Sequence, residues 1–148
     1  MDQSNHIPVL YNEVLELLRP QPGGQYIDGT LGAGGHTEGI LEASAPDGRV
    51  LVFDRDEEAV QFARRRLQTY SERVVFINAS YALMNKLASA NGFNAVNGIL
   101  LDLGLSSRQL ANAARGFSFL REGPLDMRFD PSLETTAADM INNLNEHE

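Results

Sequence analysis

Two rhythms of apolar and polar positions alternate along this chain. Positions 11–18 set Val14, Leu17 and Leu18 on one helical face, and Pro20, Pro22 and Gly23-Gly24 end that helix. A short apolar run at 25–28 predicts a strand, and a glycine-rich turn then feeds a helix over about 36–43. Positions 49–53 predict a second strand that closes at Asp54. The helix after it is the clearest element, with Val60, Ala63, Leu67 and Tyr70 on one face. The run Val74-Val75-Phe76-Ile77 within 73–77 predicts a third strand, buried on both faces. Ser80 is placed to cap a helix carrying Leu83, Met84 and Leu87, which stops at Asn91-Gly92. A fourth strand at 97–101 runs into Asp102.

There the rhythm breaks. Positions 103–134, rich in Gly, Ser, Pro and Arg, read as loop, and a last helix is expected near Thr135 with Thr136 and Asp139 as a capping pair. Four strands joined by crossover helices predict an α/β chain with a parallel sheet, half of a doubly wound one. The expected division is 1–104 and 105–148. The last strand of such a half leaves an edge that needs a partner, so a homodimer is one expectation.

Charge changes the picture little. The formal net charge is −8, with 8 basic and 13 acidic residues in 1–104 and 4 basic and 7 acidic in 105–148. Phosphate-binding surfaces are usually basic, so composition by itself argues weakly against nucleic acid. In the 64–66 arginine triplet, Asp56, Glu57 and Glu58 at the opposite helix end point to a dipole-matched, solvated helix end rather than an RNA patch. Cysteine is absent, which excludes disulfides and thiolate metal sites and fits a cytoplasmic location. No stretch matches a membrane span or signal peptide, so a soluble, unexported protein is expected.

The candidate chemistry begins at Asp28-Gly29-Thr30-Leu31-Gly32-Ala33-Gly34-Gly35-His36, between a strand and a helix, where open α/β sheets bind ligands. A dinucleotide fingerprint needs a third glycine where this chain has Thr37, so that fingerprint fails. Asp54 lies 20 residues beyond Gly34 at a strand end, placed to accept from ribose hydroxyls or, alternatively, to cap a helix. Tyr81 follows the third strand, as an adenine-packing ring or an ordinary tyrosine. Asp102 ends the fourth strand, as an acceptor for a cofactor or substrate amine, or as a turn cap. His6, His36 and His147 form no metal constellation with carboxylates, so no metal is expected.

His6-Ile7-Pro8-Val9-Leu10, Asp28-Gly29-Thr30, Gly34-Gly35-His36, Asp54-Arg55-Asp56 and Leu101-Asp102-Leu103-Gly104 with Ser106-Ser107 form a recognisable set. With Arg115-Gly116-Phe117-Ser118-Phe119 and Gly123-Pro124-Leu125-Asp126-Met127-Arg128, it resembles the bacterial small-subunit rRNA cytosine-N4 methyltransferase family. The resemblance runs from His6 almost to the end of the chain. It implies a Rossmann-like class I S-adenosylmethionine-dependent methyltransferase fold, with the cofactor held by Gly34, Gly35, His36, Asp54, Tyr81, Asp102 and Gln109. Tyr81 stands where the family more often has phenylalanine. Members continue well beyond position 148, through a helical insertion and back to the sheet.

The implied reaction is methyl transfer to N4 of a cytidine in 16S rRNA, in the small ribosomal subunit. Asp102 is the candidate catalytic acceptor, pulling on an amine N–H. Phe117, Phe119 and Arg128 are candidate substrate contacts, by stacking or phosphate pairing, against the alternative of packing within their own loop. Two rival readings stand: a non-catalytic cofactor-binding fragment and a nicotinamide-dependent oxidoreductase.

Overall fold

The computed structural model describes residues 8–145, so His6 and His147 lie outside the described residues. The chain divides into two compact units, Met1–Asp102 and Leu103–Glu148.

The first unit carries four parallel strands: β1 (Gln25–Asp28), β2 (Arg49–Asp54), β3 (Val74–Asn78) and β4 (Gly98–Leu100). Their order is β3-β2-β1-β4, the arrangement of half a doubly wound, Rossmann-like sheet. Its helices are α1 (Tyr11–Leu18), α2 (Gly35–Ala43), α3 (Glu57–Arg66) and α4 (Met84–Ala90). Side chains of a strand alternate between faces, and β2 shows the result. Val50 and Val52 pack with Ile40, Leu41, Val60, Ala63 and Leu67 on one face. Leu51 and Phe53 pack with Ile27, Ala88 and Phe93 on the other. Among the described residues, no helix is long and apolar enough to cross a membrane.

Three expectations need correction in this unit. Leu17 is 84% exposed, whereas Leu15 and Leu18 pack against the core. The buried face of α1 is therefore the 11-14-15-18 stripe, the spacing a 3.6-residue turn favours. β3 is an edge strand, so only Val74 is buried and 75–77 are half-covered. The arginine triplet is partly built into the fold: Arg66 forks onto Glu38 at 2.7 and 2.9 Å, and the Arg64 guanidinium lies 4.5 Å from the Phe76 ring centroid. The helix dipole still holds as read, with Asp56 capping α3 by accepting from Glu58 N–H at 3.0 Å.

The second unit contains α5 (Ser107–Ala111), a single 3-10 turn (Ala113–Arg115) and α6 (Ala137–Asn143). The expected α6 cap is present, with Thr136 and Asp139 bonding reciprocally. α5 corrects the loop expected over 103–134: Ser106 and Gln109 form a capping box that starts a short helix there. The two long motifs interlock. Gly116 has φ +70°, and a side chain there would strike the Pro124 carbonyl. Met127 N–H donates to the Arg115 carbonyl at 3.1 Å, and the Arg115 guanidinium donates to the carbonyls of Arg128 and Phe129.

Candidate cofactor site

All four strands run in one direction, so their carboxyl ends share one edge of the sheet. Register puts Asp28 opposite Val52 and Leu100, and Asp54 opposite Asn78. Asp28, Asp54 and Asp102 thus come to the same edge from β1, β2 and the end of β4. Tyr81 joins them through its Cβ, which lies 3.2 Å from where a Gly29 side chain would begin. The ring is partly exposed.

The turn between β1 and α2 is shaped by glycine. Gly32 has φ +50° and Gly34, which caps α2, has φ +80°. L-residues with side chains avoid this region, so the chain turns tightly enough to bring α2 onto the strand end. Gly34 and Gly35 are buried. The Asp54 carboxylate fastens the turn: Oδ2 accepts from Gly32 N–H at 2.8 Å and Oδ1 from Asp56 N–H at 2.9 Å. Each oxygen retains accepting capacity, because a carboxylate offers about four lone-pair sites.

Asp28 is buried and already supplied with donors. Thr37 Oγ1 donates to its Oδ2 at 2.6 Å, and Thr30 N–H donates to Oδ1 at 3.0 Å. Burial pushes its carboxyl above the usual range; the Thr37 and Thr30 bonds and nearby His36 pull it back. Asp54 is likewise pushed up by burial, against the N–H bonds of Asp56 and Gly32. The sequence marks Asp28 as the strand-end acid beside the glycine turn and Thr37 as the break in the dinucleotide fingerprint, but not the bonds of Thr30 and Thr37 to Asp28. The available signal was the Asp-x-Thr spacing, which favours a local side-chain turn.

His36 is buried and held on two sides. Its Nε2 lies 3.0 Å from the Val9 carbonyl, which can only accept, so Nε2 carries the proton and donates. Its ring stacks at 6.3 Å on Tyr11, and Nδ1 faces Asp102 Oδ2 at 3.9 Å. Among the described residues, no three metal-ligating side chains cluster.

The remaining candidates belong to the second unit. Gln109 is buried, and its Oε1 accepts from Ser106 N–H at 3.0 Å. Phe117 is 5% exposed, with its ring centroid 5.2 Å from that of Phe129. Arg128 forks onto Asp126 at 2.6 and 2.9 Å and also donates to the carbonyls of Pro131 and Leu133. Phe119 is fully exposed.

A profile of the MraW methylase family matches residues 3–148. The chain belongs to that family. It is 50% identical over 144 residues to the ribosomal RNA small subunit methyltransferase H of Geobacter sulfurreducens, covering 97% of this chain and 46% of that protein. Against the protein of the same name from Syntrophobacter fumaroxidans the identity is 52%, over 95% of this chain and 44% of the relative. The family member described here thus spans about half the length of the curated relatives it matches. Among solved structures, an rRNA methylase from Streptococcus thermophilus superposes with TM-score 0.44 and 20% identity, over 59% of this chain and 50% of that one. A SAM-dependent O-methyltransferase from Thermotoga maritima gives TM-score 0.46 and 22% identity, over 51% and 29%.

Proposed function

We propose that the first unit binds S-adenosylmethionine, and that the protein methylates N4 of a cytidine in 16S rRNA of the small ribosomal subunit, in the cytoplasm. The bond from Gly32 N–H to Asp54 carries this reading, because it places the second-strand acid against the glycine turn. Gly34 and Gly35 would let the cofactor approach the backbone. Asp54 would take the ribose hydroxyls, Tyr81 would pack on the adenine, and Asp102 with His36 beside it would accept from an amine. Three strand-end carboxylates suit a cationic ligand and oppose a pyrophosphate, which disfavours a nicotinamide dinucleotide. Thr37 adds to that, since its hydroxyl is committed to Asp28 where a dinucleotide site would have glycine.

Bound S-adenosylmethionine supplies a methyl group on a good leaving group, so alignment is the main task of the protein. Asp102 would hold the nucleophilic amine by accepting one N–H, drawing its lone pair out of conjugation. Of the candidate substrate contacts, Phe119 is the ring exposed for stacking on a base. Phe117 and Arg128 are occupied by the packing of their own unit.

Calorimetric titration of S-adenosylmethionine into the 148-residue chain tests the first part. Saturable binding that Asp54→Ala loses is expected, and a folded wild-type chain that binds none would sink the site reading. Methyl transfer to small ribosomal subunits tests the second part. Cofactor binding without transfer would favour the non-catalytic alternative. The exposed Ile99 side chain on edge strand β4 is the observation behind that alternative, and behind pairing with a second copy, which a sedimentation measurement would reveal.

A further inference from the structure

We propose that Thr30 is the positioning residue for Asp102, an inference that rests on the cofactor-site reading of Asp102. The β1–β4 ladder ends with Asp28 opposite Leu100, and Gly29 N–H donates to the Leu100 carbonyl at 2.9 Å. Asp102 lies two residues past that point, beyond an edge strand of only three residues. Its backbone N–H is held there by a side chain, the Thr30 hydroxyl, at 2.7 Å.

Thr30 is itself fixed. Its N–H donates to Asp28 Oδ1 at 3.0 Å, and its hydroxyl lies 3.5 Å from the same oxygen. A hydroxyl that accepts from Asp102 still has its own hydrogen to place, and the buried Asp28 carboxylate draws it. That orientation turns an oxygen lone pair towards the Asp102 N–H. Asp28 is anchored in turn by Thr37 at 2.6 Å from the first turn of α2. The position of Asp102 is therefore set from β1 and the glycine turn, the same elements that carry Gly34 and Gly35. The other side of Asp102 meets His36 Nδ1 at 3.9 Å, too long for a strong bond to hold the residue alone.

The test uses the full 148-residue chain as wild type, Thr30→Val and Thr30→Ser, with two readouts. Amide exchange of Asp102 by NMR reports on the clamp, and calorimetry with S-adenosylmethionine reports on the site. Valine keeps the shape and removes the acceptor, so Asp102 exchange should quicken and cofactor affinity fall, each about tenfold. Serine restores the hydroxyl and should restore both. Thr30→Ala carries the same expectation as valine should the valine variant fail to fold. Wild-type affinity in the variant lacking the hydroxyl, or no rescue by serine, overturns the proposal. If the wild type itself binds no cofactor, the site reading fails separately and Asp102 exchange alone decides. Faster exchange in the hydroxyl-free variant then supports the clamp, and unchanged exchange overturns it.

Discussion

Asp54 and Gly32 are 22 residues apart in sequence and joined by a 2.8 Å hydrogen bond from backbone to carboxylate. The acid proposed to meet the ribose therefore also fixes the turn on which the cofactor would lie. Asp54→Ala would leave the Gly32 and Asp56 N–H groups without their acceptor, at a cost of about 1–3 kcal/mol. Asp54→Asn keeps one acceptor oxygen and should lose less stability while still weakening ribose binding. Urea unfolding beside calorimetry separates the two effects. An alanine variant as stable as wild type would mean that the carboxylate does not hold the turn.

Gly34 is held at φ +80°, and a side chain there would begin 3.2 Å from Leu67 and 3.3 Å from Ala63. Gly34→Ala should cost about 1–2 kcal/mol for the left-handed backbone alone, with more if α3 cannot yield. A lowered urea midpoint and lost S-adenosylmethionine binding are expected. An alanine variant as stable as wild type would show that the turn relaxes to an ordinary conformation.

The strands were legible because each is a short apolar run bounded by Gly, Asp or Asn, and strand-end acids stand out in such a pattern. The edge position of β3 was not, since pairing order depends on contacts distant in sequence. Leu17 was misplaced because three leucines crowd α1 and the true stripe runs through Tyr11, Val14, Leu15 and Leu18. α5 was missed although Ser106-x-x-Gln109 is a capping-box pattern, because five helical residues give too little periodicity to notice. At the site, the glycine turn and Asp54 could be named from spacing. The bonds of Thr30 and Thr37 to Asp28 could not, because they depend on where the turn places each hydroxyl.

The pH dependence should have opposite signs at carboxylates in the two units. The folded-state pKa of Asp28 lies above its ordinary value of 3.8, so the unfolded chain releases its proton first as pH rises. Stability from Asp28 is fully present below 3.8 and declines as pH climbs through the raised value. Asp126 is lowered to about 2, chiefly by the side-chain bond from Arg128. Its contribution is present above 3.8 and is lost as pH falls through about 2. Carboxyl titrations by NMR should place the midpoints of Asp28 and Asp126 on opposite sides of 3.8. Arg128→Ala should return Asp126 to the ordinary range, and an unmoved Asp126 midpoint would remove Arg128 as the cause.

Phe117 and Phe119 stand two residues apart in one motif and should separate stability from substrate binding. Phe117 is buried against Phe129, so Phe117→Ala should cost the second unit about 3–5 kcal/mol through the lost ring and the cavity left behind. Phe119 is fully exposed, so Phe119→Ala should stay within about 0.5 kcal/mol of wild type. If Phe119 stacks on an unpaired base of the substrate, its removal should weaken RNA binding by about 1–3 kcal/mol without lowering the unfolding midpoint. Binding to small ribosomal subunits, measured beside urea unfolding for both variants, reads the two quantities together. Unchanged RNA affinity in a stable Phe119→Ala protein would assign the exposed ring no part in substrate recognition. Lost affinity in Phe117→Ala alone would follow from collapse of the unit and would say nothing for direct contact.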